Sequence, residues 1–228
     1  MNRILLALGL LAMAAGTVQT AGAQESGPVY VVTYVEVQPG AKREATTLLR
    51  GLRDAARRDS GNLRADVLES TSRPGHFVLL TNWKDQKALD GHMAAAATKE
   101  ARDRLQALRN SPADDRIHNG LAVAATDAGP ARRAFYVVTH VDVPPPRKDE
   151  CVTMLKKLAD ASRKDQGSVA FDVVQQTSRP NHFTVIEAWK DRKAFDAHVQ
   201  AAHVREFRDQ LTPMSGALYD ERLYRVLN

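Results

Sequence analysis

The sequence predicts an α+β protein in which two tandem ferredoxin-like (β-α-β-β-α-β) repeats form one intramolecular dimeric α/β-barrel. The chain repeats itself at an offset of 106 residues, and 38 of the 76 positions from Tyr30 to Leu105 are identical to the residue 106 positions later. Within each repeat, strand and helix periodicities follow one another in the same order. This period is too long for a solenoid, so the unit is a whole domain duplicated in tandem.

The elements of the first repeat follow from residue type and spacing. A β-branched and aromatic run that ends at Pro39-Gly40 predicts a strand. Apolar residues then recur at helical spacing, and Asp85 is a suitable N-cap for a second helix. The predicted elements are a strand at 29–37, a helix at 41–59, strands at 63–70 and 76–83, a helix after Asp85, and a strand at 117–124, matched by 221–226 in the second copy.

Two such units can bury their sheets against each other. The two helices of a ferredoxin-like unit cover one face of its sheet and leave the other face open. Two copies in one chain can close a barrel without a partner chain, so we expect a monomer with an internal pseudo-dimer, compatible with further oligomerisation. The predicted organisation is a first domain at 29–125, a linker at 126–133 and a second domain at 134–228.

The N-terminus has the pattern of an export signal. A basic start at Arg3 precedes an apolar run of about 13 residues, and Ala21-Gly22-Ala23 supplies small residues for cleavage. The alternative, a membrane anchor, needs about 20 apolar residues. We therefore expect a signal peptide at 1–23, cleavage after Ala23, and a periplasmic or secreted protein without stable membrane insertion.

The charge and the cysteine content argue against nucleic-acid binding and an internal disulfide. The formal charge of +5 falls to +4 when Arg3 is removed and is dispersed among many acidic residues, which disfavours nucleic-acid binding. Cys151 is the single cysteine, so no internal disulfide can form. It aligns with Ala45 of the first copy, which indicates a small buried helix residue rather than a reactive thiol.

The segment W-K-D-x-K-A-x-D-x-H occurs at 83–92 and again at 189–198. Together with the β-α-β-β-α-β order, it resembles the antibiotic biosynthesis monooxygenase (ABM) domain family over nearly the whole mature chain. The resemblance implies a dimeric α/β-barrel. The activities it implies are cofactor-independent oxygenation of quinols or polyketides, haem degradation and isomerisation, and many family members have no known reaction.

The haem-degrading branch is excluded by residue type. The resemblance implies an Asn on the first strand and a His on the second helical segment as haem ligand. Thr33 and Thr139 stand at the first position and Arg102 and Arg208 at the second. Arginine cannot serve as the axial ligand.

Cofactor motifs are missing from the sequence. It has no H-E-x-x-H, no paired Cys, no P-loop and no G-x-G-x-x-G after a strand, so we expect no bound metal, flavin or nicotinamide. An oxygenase without cofactor needs a substrate that itself supplies electrons to dioxygen. The expected partners are therefore dioxygen and a small electron-rich aromatic molecule.

Four residues are candidates for catalysis. His92 and His198 lie on the apolar faces of their predicted helices and could accept a proton from a phenol or quinol. The alternative is a core histidine with one satisfied hydrogen bond. Trp83 and Trp189 could stack on a flat ligand or fill the gap between sheet and helix.

The second copy contains more polar and aromatic groups than the first. His203 replaces Ala97, and Tyr219 precedes the last strand. With Thr139 and Phe195 these form the expected substrate contacts, and we expect the second cavity to be the more functional one. Two functions stay open: a quinol-oxidising monooxygenase, or a non-catalytic small-molecule-binding or stress-associated protein.

Overall fold

The computed structural model describes residues 27–112, 114–124 and 133–228. The predicted signal peptide and all but one residue of the predicted linker lie outside the described residues. The first repeat contains β1 (Val29–Glu36), α1 (Lys42–Arg58), β2 (Asn62–Ser70), β3 (His76–Trp83), α2 (Gln86–Ala94), α3 (Ala96–Ala107) and β4 (Asp114–Ala122). The second repeat contains β5 (Phe135–Asp142), α4 (Lys148–Ser162), β6 (Ser168–Gln176), β7 (His182–Trp189), α5 (Arg192–Val199), α6 (Ala202–Leu211) and β8 (Asp220–Val226).

The eight strands form one closed antiparallel barrel in the order β1-β3-β2-β8-β5-β7-β6-β4. Each repeat contributes four neighbouring strands, and the fourth strand of each repeat pairs with the second strand of the other. Leu68 on β2 faces Val226 on β8, and Gly120 on β4 faces Val174 on β6. The predicted fold, two ferredoxin-like repeats in an intramolecular barrel, is confirmed.

Side chains on each strand alternate between the barrel interior and the helix layer. The interior cluster draws on both repeats and includes Tyr30, Val32, Val78, Tyr136, Val138, Ile186 and Tyr224. The opposite strand faces pack against helices in separate clusters, one built around Leu49 and Phe77, another around Leu155 and Phe171. Cys151 is fully buried there, and burial raises the pKa of its thiol to about 12.

The second helical segment of each repeat is broken. Asp85 caps α2 as predicted, because its Oδ1 accepts a hydrogen bond of 2.7 Å from the Ala88 amide. At Ala95, however, the backbone is extended (φ −61°, ψ 133°), and Ala201 has a similar conformation in the second repeat. Alanine favours a continuous helix, so the tertiary packing of α3 against α1 overrides local propensity here.

A chain of polar groups lies inside the barrel near one end. His118 Nε2 is 3.0 Å from the Thr184 hydroxyl, which is 3.2 Å from His140 Nδ1. His140 Nε2 is 2.9 Å from an Arg116 guanidinium nitrogen. Burial lowers the pKa of both histidines to about 4, and nearby arginines add to the shift for His140. Both rings are therefore neutral at pH 7.

A second polar cluster joins the two repeats inside the barrel. Arg64 Nε donates to Asp66 Oδ2 at 2.7 Å, and another guanidinium nitrogen is 2.5 Å from the Tyr136 hydroxyl of the other repeat. Arg57 also pairs with Asp66 at 3.0 Å. Asp66 is completely buried, so its charge depends on these arginines.

None of the described helices is both long enough and apolar enough to span a bilayer.

Candidate functional site

The two candidate histidines share one arrangement. His92 on α2 and His198 on α5 are 9% and 5% exposed. His92 Nδ1 lies 2.6 Å from Asp59 Oδ2, and His198 Nδ1 lies 2.7 Å from Asp165 Oδ2. Each aspartate follows the first helix of its repeat. A carboxylate at Nδ1 favours the tautomer with the proton there, which leaves Nε2 as the acceptor of the neutral ring.

The two tryptophans pack directly on these histidines. Trp83 and Trp189 are completely buried, with ring centroids 4.7 Å from His92 and 4.4 Å from His198. Trp83 Nε1 donates to Thr81 Oγ1 at 2.9 Å, and Trp189 Nε1 donates to a carboxyl oxygen of Glu187 on β7 at 2.8 Å. Both indole N–H groups are therefore engaged within the protein, and both rings fill the gap between sheet and helix.

The first repeat has a partly open cavity of about 120 Å³ between its sheet and its helices α2 and α3. The imidazole of His92 lines it beside polar groups at Thr33, Arg102 and Asp115. Its apolar walls are Val31, Leu52, Leu79, Leu89, Met93 and Ile117. A titratable group thus faces a mostly apolar space just large enough for a small ligand.

The polar groups on one side of this cavity, Thr33, Arg102 and Asp115, are hydrogen-bonded to one another. The Thr33 hydroxyl donates to Asp115 Oδ1 at 2.6 Å, and Arg102 donates to Asp115 Oδ2 at 2.5 Å. Burial opposes ionisation of Asp115, but these two donors hold the pKa of its carboxyl below the ordinary value. The carboxylate is therefore ionised and fully engaged at neutral pH.

The second repeat has larger side chains at three of the positions that correspond to the cavity lining of the first repeat. Glu187 stands in place of Thr81, Phe195 in place of Leu89, and Glu221 in place of Asp115. Phe195 packs on Trp189, with ring centroids 6.5 Å apart. The preference for the second repeat as the more functional one, made from its extra polar and aromatic groups, stays a prediction.

His198 instead borders a groove of about 520 Å³ on the outer side of α5. The groove is also lined by Asp165, Gly167, Lys190 and Ala194. Burial lowers the pKa of His198, although the hydrogen bond with Asp165 opposes the shift. On its inner side, His198 Nε2 lies 3.7 Å from Glu187 Oε2.

Glu187 is a buried carboxyl group that the sequence analysis missed. Its side chain is 4% exposed, and its Oε2 accepts the hydrogen bond from Trp189 Nε1. Burial raises the pKa of Glu187 to about 8, although the Trp189 hydrogen bond opposes this. It is therefore largely protonated at pH 7.

Among the described residues, the expected substrate contacts of the second repeat have different surroundings. His203 joins His198 at Asp165, with its Nε2 3.1 Å from Asp165 Oδ2. The Thr139 side chain is fully buried, and its hydroxyl has no hydrogen-bond partner among the described residues. Tyr219 is 36% exposed and packs under the Arg208 guanidinium.

Asp59 and Asp165 were not predicted from the sequence as histidine partners. Both are identical between the repeats at the 106-residue offset, which was the available signal. Each lies 33 positions before its histidine, so only the folded chain brings the pair together.

The family model for antibiotic biosynthesis monooxygenases matches residues 28–104 and 134–210. The chain belongs to this family. The "Putative monooxygenase YcnE" of Bacillus subtilis is 28% identical over 68 residues, which is 30% of this chain and 72% of that protein. Family membership and this relative support a monooxygenase function in general terms.

Solved structures share the doubled fold. A "putative monooxygenase" from Fusobacterium nucleatum superposes with a TM-score of 0.77 at 15% identity, covering 89% of this chain and 94% of that one. Another from Lactobacillus acidophilus gives a TM-score of 0.72 at 13% identity, covering 89% of this chain and 100% of that one. At these identities the likeness concerns the fold.

Proposed function

We propose that this protein is an exported, cofactor-independent monooxygenase that oxidises a small quinol or phenol in the cavity of its first repeat. The observation that supports this most is the small, mostly apolar cavity with His92 in its wall. The cavity is smaller than the roughly 300–1,000 Å³ of pockets for drug-sized ligands, which favours a substrate with a single aromatic ring.

His92 is the proposed proton acceptor. Asp59 holds Nδ1 and thereby leaves Nε2 to take the proton of a substrate hydroxyl. The resulting imidazolium is stabilised by the Asp59 carboxylate, in the manner of a histidine oriented by an acid. Trp83 packs on the ring and restricts its orientation.

The reaction balances without a cofactor. A deprotonated phenol supplies its electrons to dioxygen, one oxygen atom bonds to a ring carbon, and the other oxygen leaves as water. Phenol and dioxygen thus yield quinone and water, with the ring C–H and O–H hydrogens ending in the water. The apolar walls keep bulk solvent from the reacting carbon.

His92→Ala is expected to lower the rate of oxygen uptake with a hydroquinone substrate by about 100-fold or more, since a general base contributes roughly 10² to 10⁴. Leu89→Phe, which installs the second repeat's residue, should fill the cavity and raise KM. An oxygen electrode with a panel of single-ring hydroquinones measures both effects, and circular dichroism checks folding.

His182→Ala is the control, since this histidine pairs with Asp142 at the barrel rim, away from the cavity. A loss confined to His198→Ala would move the chemistry to the second repeat. No oxygen uptake from any substrate, with ligand binding that Leu89→Phe still abolishes, would identify a non-catalytic binder.

Export is the second part of the proposal and rests on the N-terminal sequence. The mature chain is expected to begin at Gln24, because Ala21 and Ala23 occupy the small-residue positions of a cleavage site. Intact-mass measurement of protein from the periplasmic fraction tests this. Recovery of the full 25.1 kDa chain from the membrane fraction would contradict it.

A further inference from the structure

We propose that Asp165, His198 and His203 form a binding site for a divalent transition-metal cation, Zn²⁺ above all, that only the second repeat possesses. One ligand atom from each residue lies within 4.8 Å of the others. Asp165 Oδ2 is 2.7 Å from His198 Nδ1 and 3.1 Å from His203 Nε2. This inference is independent of the proposed oxygenase site.

The donor set suits a borderline cation. Zn²⁺ takes imidazole nitrogen and carboxylate oxygen at about 2.0–2.2 Å in tetrahedral geometry, which places neighbouring ligand atoms about 3.3 Å apart. The two distances to Asp165 Oδ2 require only a slight spreading of the cluster. Two histidines and one carboxylate leave the fourth position for a solvent molecule.

The described residues leave the Nε2 atom of His203 without a hydrogen bond. Its Nε2 is close to Asp165 Oδ2, but at an angle that makes no hydrogen bond, and this buried atom has no hydrogen-bond partner among the described residues. A metal ion held between His203 and the Asp165–His198 pair would use this free nitrogen.

A second carboxyl group supports His198 from behind. Metal-bound histidines usually donate their other ring N–H to a carboxylate or carbonyl, which sets the tautomer. With Nδ1 on the metal, His198 Nε2 would face Glu187 Oε2, now 3.7 Å away. Glu187 is itself fixed by the hydrogen bond from Trp189.

The cluster is accessible from solvent. The side chains of Asp165 and His203 are 23% and 21% exposed, and Asp165 and His198 border the groove beside α5. Lys190 and Lys193 also line this groove, so attraction of the cation depends on direct coordination rather than on the surrounding charge.

The first repeat provides an internal comparison. Asp59 and His92 repeat the aspartate–histidine pair, but Ala97 stands where the second repeat has His203. Two ligands do not hold Zn²⁺ tightly. His203→Ala therefore recreates an arrangement that this fold already accommodates, and Ala97→His supplies the missing third ligand in the first repeat.

Zinc titration of the full chain, purified without a polyhistidine tag and stripped with EDTA, tests the site by competition with a chromophoric chelator. We expect one Zn²⁺ per wild-type chain. His203→Ala should weaken binding by at least about 100-fold, since even the loss of supporting partners costs 10- to 100-fold. His76→Ala, at a surface histidine outside the cluster, should leave the affinity unchanged.

Equal zinc affinity in wild type and His203→Ala, or the absence of saturable binding, would overturn the proposal. Ala97→His should raise the stoichiometry from one to two. If His203→Ala does not fold, this variant decides the question, and a stoichiometry of one would count against the site. Co²⁺ in place of Zn²⁺ should give the visible absorption of a tetrahedral complex in wild type and lose it in His203→Ala.

Discussion

Lowering the pH from 7.5 to 4.5 is expected to reduce the free energy of unfolding of wild type by about 5 kcal/mol more than that of His118→Gln/His140→Gln. Burial lowers the pKa of each histidine from 6.5 to about 4. The unfolded chain therefore binds more protons than the folded chain between these values. Each histidine contributes stability that is present above pH 6.5 and lost as the pH falls towards 4.

The magnitude follows from the shift in pKa. At pH 4.5 each unfolded histidine is almost fully protonated while its folded counterpart is mostly neutral, which costs about 2.5 kcal/mol per residue. The charges that face His140 are Arg116 on β4 and Arg222 and Asp220 on β8, and the arginines disfavour a third positive charge.

Glu187 acts in the opposite direction over the same range. Its raised pKa means that its contribution to stability is present below pH 4.5 and is lost as the pH rises through about 8. Because Glu187 is common to wild type and the double variant, its effect cancels when the two proteins are compared.

Urea unfolding at pH 7.5, 5.5 and 4.5 measures the difference. His76→Gln/His182→Gln is the matched control, because these histidines lie partly exposed at the barrel rim beside Glu36 and Asp142. The control should follow wild type. A difference between wild type and His118→Gln/His140→Gln that is the same at all three pH values would refute the assignment.

Asp66→Asn is expected to lower the free energy of unfolding by roughly 3–5 kcal/mol, because it removes the counter-charge of a buried guanidinium. Arg64 is paired with Asp66 and otherwise contacts the Tyr136 hydroxyl. Arginine cannot relieve the strain by losing its proton. The cost appears as a lower urea midpoint at pH 7.

The second repeat again provides the control. Asp172 is the counterpart of Asp66, but Ala170 stands in place of Arg64. Among the described residues, Asp172 Oδ1 accepts a hydrogen bond from the Ala124 amide at 3.0 Å, and an Asn oxygen can also accept it. Asp172→Asn should cost less than about 1 kcal/mol. Similar losses from the two substitutions would show that Arg64 does not depend on Asp66.

The order of strands and helices was predictable from the sequence because each element buries one face, and burial leaves a periodicity. The break at Ala95 was not, because alanine itself favours helix and the bend arises from packing of α3 on α1. The same limit applies to the polar groups. His92 was found from its apolar helix face, whereas its partner Asp59 sits on another element.

The choice between the two cavities depends on a different property. Counting polar and aromatic residues favoured the second repeat, but side-chain volume decides whether a space stays open. Phe195 and Glu187 are larger than Leu89 and Thr81, the residues at the corresponding positions of the first repeat. This comparison needs only the residues 106 positions apart in the two repeats. It can be made from the sequence once the strands and helices that line the cavity are known.

Closure of the barrel by two halves of one polypeptide removes a constraint that an assembly of identical subunits obeys. In a homodimer every mutation appears at both symmetry-related positions, so a residue useful in one half and harmful in the other cannot persist. In the fused chain Arg64 can cross the interface towards Tyr136 while Ala170 leaves the reciprocal position empty. The fused chain thus allows the two halves to acquire different residues and roles, while the shared barrel preserves the stability of both.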